Sequence, residues 1–201
     1  MVDAGIVLAA GSSQRMGTPK QLLPLWGRPL LEHVIAAACG SRLERVVVIL
    51  GADHELIRQR IGWGRARVVV NPDHATGMSS SLRTGLATLD SDVESAVVIL
   101  GDQPGVSPEL VDRILDLHAE RHRPAAALSV HGLLQPPVVL RRELWAQLTA
   151  LSGDTGARGF LRTHPELVAP LVVDAEAEHL ADIDTPDDWR RYLSSFSSPP
   201  S

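Results

Sequence analysis

Apolar residues fall along this chain in short blocks set apart by glycine-, proline- and serine-containing turns. Ile6 to Ala10, Arg45 to Leu50, Ala66 to Val70 and Ser95 to Leu100 are near-continuous apolar stretches of strand length, several rich in β-branched residues. Between them, Leu30 to Cys39, Asp53 to Arg60 and Ser80 to Leu89 have the length and composition of helices. Strands apolar on both faces belong inside a parallel sheet with helices on either side, so the first half predicts a Rossmann-like, doubly wound α/β unit. Ser107-Pro108-Glu109 pairs a capping hydroxyl with proline at the first helical position, and predicts a helix running to about Arg121. Beyond it the pattern loosens. Ala125 to Val130, Val138 to Leu140 and Leu167 to Val173 read as strands, and Arg141 to Leu151 and Ala157 to Thr163 as helices. No repeat or linker divides the chain, so one domain is expected over residues 1–193, followed by a disordered tail, 194–201, with little to bury.

Composition narrows the partners. The chain has 201 residues, 44% of them hydrophobic, enough for a substantial core. A net charge of -5 offers no broad cationic surface for a nucleic-acid backbone, so a bound phosphate has to be caught locally. Cys39 is the single cysteine, which rules out an intrachain disulfide, and it sits in an apolar helical stretch. No basic region precedes the first apolar run and no stretch reaches the roughly 18 apolar residues that cross a bilayer, so a soluble cytoplasmic protein without a membrane partner is expected. The eight histidines show no paired metal spacing, and His118 with His122 is expected on a solvated helix face. Trp26, Trp63, Trp145 and Trp189 are scattered and read as packing residues.

The chemistry concentrates where strands end. Leu8-Ala9-Ala10-Gly11-Ser12-Ser13-Gln14-Arg15-Met16-Gly17-Thr18-Pro19-Lys20 leaves a buried strand as a loop of small residues. In a doubly wound sheet ligands collect at the carboxyl ends of strands. Small residues let backbone N–H groups approach an anion, and Arg15 and Lys20 add two positive charges for triphosphate oxygens. The loop has neither the lysine that follows a Walker glycine nor Gly-x-Gly-x-x-Gly spacing. Asp102 follows the apolar stretch Ala96 to Leu100 and a glycine, which sets a carboxylate at the sheet's edge. Mg²⁺ takes one or two carboxylates beside substrate phosphate, and Asp184 is the natural second ligand, with Asp182 a minor candidate; each of these aspartates also suits an ordinary turn or helix cap. Gly77-Met78-Ser79-Ser80-Ser81 can hydrogen-bond a base or ribose, or can simply open a helix.

The first loop, continued after one unspecified position by Leu22-Leu23-Pro24 and then by Gly27-x-Pro29-Leu30-Leu31, resembles the signature of the MobA-like nucleotidyltransferases, nearest their molybdenum cofactor cytidylyltransferase (MocA) branch. Asn71-Pro72, Gly77 to Leu82, Gly101-Asp102-Gln103-Pro104, Gly153-Asp154-x-Gly156-Ala157-Arg158 and Asp182-Ile183-Asp184-Thr185-Pro186 match in order along nearly the whole chain. The resemblance implies a nucleotide-diphospho-sugar transferase-like fold and transfer of NMP from CTP or GTP to molybdopterin bearing its molybdenum, for a molybdenum hydroxylase or its chaperone. Leu8-Ala9-Ala10-Gly11 is closer to the cytidylyl version than to the guanylyl Leu-Ala-Gly-Gly. It further implies Mg²⁺ on Asp102 and Asp184, and catalysis by Arg15, Lys20 and Asp102. Nucleotide contacts are implied at Leu8, Ala9, Ala10, Gly11, Ser12, Gly77 and Ser81, and acceptor contacts at Asp154 and Arg158. Leu134-Gln135-Pro136-Pro137 stands where the family has an Arg-Gly-His/Asn-Pro-like element, and leaves the acceptor open. A sugar or polyol phosphate acceptor is the second enzyme reading; a nucleotide-binding chaperone that delivers the cofactor without transferring anything is the reading from another class.

Overall fold

The computed structural model describes residues 2–173 and 179–195. In chain order its elements are β1 (Val2–Ala9), β2 (Pro24–Leu25), β3 (Arg28–Pro29), α1 (Leu30–Gly40), β4 (Arg45–Leu50), α2 (His54–Arg60), β5 (Arg67–Val70), α3 (Met78–Thr88) and β6 (Val93–Leu100). They continue with α4 (Pro108–Arg121), β7 (Ala125–Val130), β8 (Leu133–Arg141), α5 (Trp145–Thr149), α6 (Ala157–Thr163), β9 (Val168–Val172) and α7 (Pro186–Ser195). Seven strands form one sheet in the order β5-β4-β1-β6-β8-β7-β9, with β2 and β3 a separate hairpin. Only β8 runs against its neighbours. The sheet is mostly parallel, as the apolar blocks imply.

Side chains on β1 alternate between two cores. Val7 and Ala9 meet α1, α2 and α4 on one face, through Leu31, Val34, Ile57, Val111 and Ile114. Ala4, Ile6 and Leu8 meet α3, α5 and α6 on the other, through Leu82, Leu86, Leu148, Phe160 and Leu161. A third, smaller cluster lies outside the sheet: Leu25, Leu30, Ile183 and Tyr192, with Trp26 and Trp189 packed against them. It ties the β2–β3 hairpin to α7. The edge strand β9 carries Pro170 in its middle, opposite Ala127 of β7.

The helix α4 begins as read, with the Ser107 hydroxyl accepting from Leu110 N–H at 3.2 Å. His118 corrects the expectation of a solvated face. It follows Val111 and Ile114 on the buried stripe, at seven and four residues' spacing, and is 3% exposed, whereas His122 is exposed. The Arg141 to Leu151 segment is also corrected: Arg141 ends β8, and the α-helix proper is Trp145–Thr149. Leu134 to Pro137 lies inside β8, which is nine residues long where only Val138 to Leu140 reads as strand. Of the tail from Ser194, Ser194 and Ser195 complete the last turn of α7, and residues 196–201 lie outside the described residues.

Candidate active site

In the sheet order β5-β4-β1-β6-β8, the chain leaves β1 toward β4 on one side and leaves β6 toward the β7–β8 side. The loops after β1 and β6 therefore diverge and leave a crevice between them, the place where open α/β sheets take ligands. The Gly101 N–H donates to Leu8 O at 2.9 Å and holds the two strand ends together at its floor. A cavity of about 940 Å³ occupies this position. Leu8, Ala9, Ala10, Gly11, Ser12, Arg15, Lys20, Gly77, Ser81, Asp102, Asp154 and Asp184 all line it. Arg158 does not; it is exposed on α6, although its charge reaches Asp182.

Two cations and two carboxylates meet inside. The Lys20 ammonium donates to Asp102 Oδ2 and, at 2.9 Å, to Asp184 Oδ1, while Arg15 donates to Asp184 Oδ2 at 2.9 Å. Burial works to lower the Lys20 pKa, but the Asp102 and Asp184 carboxylates outweigh it and hold the ammonium above its ordinary value. Burial likewise works to raise Asp184, and is outweighed by the hydrogen bond and charge of Lys20 and the charge of Arg15, so its carboxyl lies below the usual range. At Asp182 burial first, then the charges of Asp102 and Asp184, push the carboxyl up to about 6; the Gln103 hydrogen bond and the charge of Arg158 work downward but are outweighed.

Asp184 arrives from the far end of the chain. The Ile183 N–H donates to Asp102 O at 3.2 Å, and the Ile183 side chain, 1% exposed, plugs into the third core cluster. Those two anchors deliver the neighbouring carboxylate to Lys20. Asp102 Oδ1 is buried and has no hydrogen-bond partner among the described residues. A desolvated carboxylate oxygen with free lone pairs is a hard ligand of the kind Mg²⁺ or Mn²⁺ takes. Among the described residues no three His, Cys, Asp or Glu side chains form a metal cage. Two carboxylates completed by waters and phosphate oxygens remain consistent with Mg²⁺.

The opposite wall is α3. Ser79, Ser80 and Ser81 are all buried, and Asn71, 1% exposed, donates to Ser80 Oγ at 2.8 Å and Ser81 Oγ at 3.0 Å. Gly77 caps the helix at φ 110°, a backbone conformation that disfavours side chains. Its face is pressed against the Gly153 carbonyl, and Ser79 N–H donates to that carbonyl at 3.1 Å. The two loops that the sequence reading treats separately, 77–81 and 153–158, are thus stitched together.

Sequence reasoning missed Gln21, which is 2% exposed beneath the loop and lines the cavity. It also assigned no role to Asn71. A polar residue in an apolar neighbourhood was the available signal, but only the fold tells whether such a residue is inside or out.

Residues 5–168 match the MobA-like NTP transferase domain. The chain is 36% identical to the nicotine blue oxidoreductase of Paenarthrobacter nicotinovorans, over 94% of this chain and 95% of that protein. It is 31% identical to the purine catabolism protein PucB of Bacillus subtilis, over 94% and 97% respectively. Rv0371c of Mycobacterium tuberculosis superposes with a TM-score of 0.83 at 31% identity, covering 96% of this chain and 97% of that one. The same protein in complex with manganese gives 0.82 at 29%, over 98% and 100%.

Proposed function

This chain belongs to the MobA-like family of nucleotidyltransferases, and on that premise we propose that it moves NMP from CTP or GTP to the phosphate of a molybdopterin-type acceptor. An acceptor phosphate oxygen attacks the α-phosphorus in line; the new P–O bond forms as the bond to the β-phosphate oxygen breaks, and pyrophosphate leaves with that electron pair. The observation that carries the reading is the meeting of Arg15, Lys20, Asp102 and Asp184 in one cavity.

Negative charge gathers on the α-phosphoryl oxygens and the leaving pyrophosphate, and Arg15 and Lys20 are the groups that offset it. Asp102 and Asp184 would hold Mg²⁺, a Lewis acid for the phosphoryl oxygens; the manganese complex of Rv0371c supports a divalent ion in this family. In this reading the backbone of Leu8, Ala9 and Ala10, with Gly77 and Ser81, meets the base, and Gly11 and Ser12 meet the triphosphate; all of them line the cavity. Asp154, exposed and lining the same cavity, is the residue this reading assigns to the acceptor. Positioning and electrostatics together suffice, without a protein nucleophile.

The test incubates the purified chain with Mg²⁺, each of the four ribonucleoside triphosphates and either molybdenum cofactor or a panel of sugar and polyol phosphates, and measures pyrophosphate. Release with CTP or GTP and the pterin alone is the expected result. Release only with a sugar phosphate moves the acceptor. Triphosphate binding with no release under any pairing favours the delivery chaperone. The name of the Paenarthrobacter relative adds one more arm: oxidation or reduction of nicotine blue by the chain, without pyrophosphate release, would replace the transferase reading.

A further inference from the structure

Ala9 closes β1 in register with Leu50, and Ala10 O accepts from Ala52 N–H at 3.3 Å. Among the described residues no backbone hydrogen bond fixes the Gly11–Ser12 peptide that follows, yet a polyanion is held there only if the N–H, and not the carbonyl, faces it. We propose that Gln21 is the positioning residue that orients this loop for the triphosphate, an inference that rests on the nucleotide reading above.

The Gln21 carboxamide is committed at both ends. Its Nε2 donates to Ala9 O at 2.9 Å and to Gly11 O at 3.1 Å, and its Oε1 accepts from Ser13 Oγ at 3.4 Å. Ser13 Oγ in turn accepts from the Lys20 N–H at 3.0 Å. A trans peptide unit is planar with its C=O and N–H pointing opposite ways. With its Nε2 anchored on the Ala9 carbonyl at the end of β1, Gln21 draws the Gly11 carbonyl down and therefore aims the Ser12 N–H the other way, and Ser12 lines the cavity. The same bridge closes on the backbone of Lys20, so one buried side chain fixes both the loop's amide face and the origin of its ammonium. Burial makes the arrangement strict. With Gln21 2% exposed, the Gly11 carbonyl has little water beneath it to bond instead, and losing the amide leaves rotation toward the cavity as its route to a partner. That rotation would present an oxygen to phosphate. No other residue type of this length offers two hydrogens from one atom and an acceptor from the other: glutamate lacks the hydrogens, methionine both functions.

The experiment titrates the full chain in Mg²⁺ with inorganic tripolyphosphate and, separately, with cytidine and guanosine, comparing wild type with Gln21→Met, Gln21→Glu and Ser13→Ala. A role confined to stability would alter phosphate and nucleoside affinity together or neither. The expected result is a loss of tripolyphosphate affinity of at least about tenfold in both Gln21 variants, the scale of one or two lost hydrogen bonds, with nucleoside affinity within about twofold of wild type. Ser13→Ala, which keeps both donors, should lose about threefold and secures the test should the Gln21 variants not fold. Equal loss of phosphate and nucleoside binding, unchanged tripolyphosphate affinity in the variants that fold, or a wild type that does not bind tripolyphosphate would each overturn the proposal. Failure of the wild type to release pyrophosphate, with the phosphate-specific loss intact, would instead count against the transferase reading alone.

Discussion

Lys20 shares its ammonium between two carboxylates drawn from positions 82 and 164 residues further along the chain. Together with Arg15 they make a set of two positive and two negative side chains, a formally neutral site. On the proposed reading a divalent ion would find Asp102 Oδ1 free, but both Asp184 oxygens are already held, Oδ1 by Lys20 and Oδ2 by Arg15, so lysine and metal would compete for Asp184 until a triphosphate gives the lysine something else to hold. Lys20→Met is therefore expected to bind Mn²⁺ more tightly than wild type in the absence of nucleotide, by about fivefold if the displaced pair is worth about 1 kcal/mol, while binding CTP or GTP more weakly. Calorimetric titration with Mn²⁺ reads both signs, and weaker Mn²⁺ binding in the variant would refute the competition. Asp102→Ala should lower turnover at least about a hundredfold, the scale of one deleted transition-state stabiliser, with the melting curve retained; near wild-type turnover would remove Asp102 from the chemistry. At this scale the sequence was legible where charge stands alone in an apolar setting, as at Lys20 and Asp102. It was opaque where a polar side chain works inward. Nothing local distinguishes Gln21 from a surface glutamine until the sheet supplies an inside, whereas the four- and seven-residue spacing of His118 from Ile114 and Val111 does mark it as inward, unlike His122.

Elements whose burial follows from their own residues were readable to within a residue or two: α1, α4, β4 and β7 are apolar on the face or faces they bury. The β8 strand was not, because its prolines argue against a strand and its partners β6 and β7 are what make it one. The α7 helix was not, because only Tyr192 among its ten residues is buried and its core is the distant β2–β3 hairpin. The contact between α3 and the loop after α5 was invisible for the same reason. It carries a prediction: a Cβ on Gly77 would lie 2.3 Å from the Gly153 carbonyl carbon, so Gly77→Ala should cost about 2 to 3 kcal/mol in urea unfolding. It should also raise the triphosphate KM and the acceptor KM together, because Gly77 belongs to the nucleotide side and Gly153 to the acceptor side; an acceptor KM unaffected by the change would separate the two loops functionally.

The helices α1 and α4 also carry the acid sensitivity. Burial, the leading cause in each, lowers the pKa of His33 and of His118. Around His33 the Leu25 carbonyl, Arg28 and Glu32 modify the effect, and around His118 Arg141 and Asp3 do. A folded state that resists protonation is favoured above the free-histidine pKa of about 6.5, and that advantage is lost as pH falls through and below it. Over pH 7.5 to 5.5 the two histidines should pull the urea midpoint down while protonation of Asp182, pushed up to about 6 by burial, pulls it up, and His118→Gln should make the drop shallower. An equally steep drop in that variant would exclude His118 as a source.

Across the whole molecule, three hydrophobic clusters divide the labour. Two hold the sheet between its helices, and the third, built from segments more than 150 residues apart, holds the Asp184 segment to the Lys20 side. Tyr192→Ala, removing an aromatic ring that is 4% exposed, should cost about 3 kcal/mol and weaken Mn²⁺ binding although no atom of Tyr192 belongs to the site. Destabilisation with unaltered Mn²⁺ affinity would show that Asp184 needs no help from α7. The domain-level architecture was legible early, since alternating strands and helices leave few alternatives to a mostly parallel sheet; which distant segments meet was not, because no residue's own chemistry names its partner.

Pro170 bears on the life of the molecule in a crowded solution. A sheet's outermost strand ordinarily offers a ladder of unsatisfied amides on which a second copy can polymerise. With an imino acid at its centre and Val172 exposed two residues on, β9 interrupts that ladder where it would otherwise be stickiest. Replacing Pro170 by valine should leave the monomer's thermal stability nearly unchanged while hastening fibril or precipitate formation on prolonged warming, as followed by light scattering.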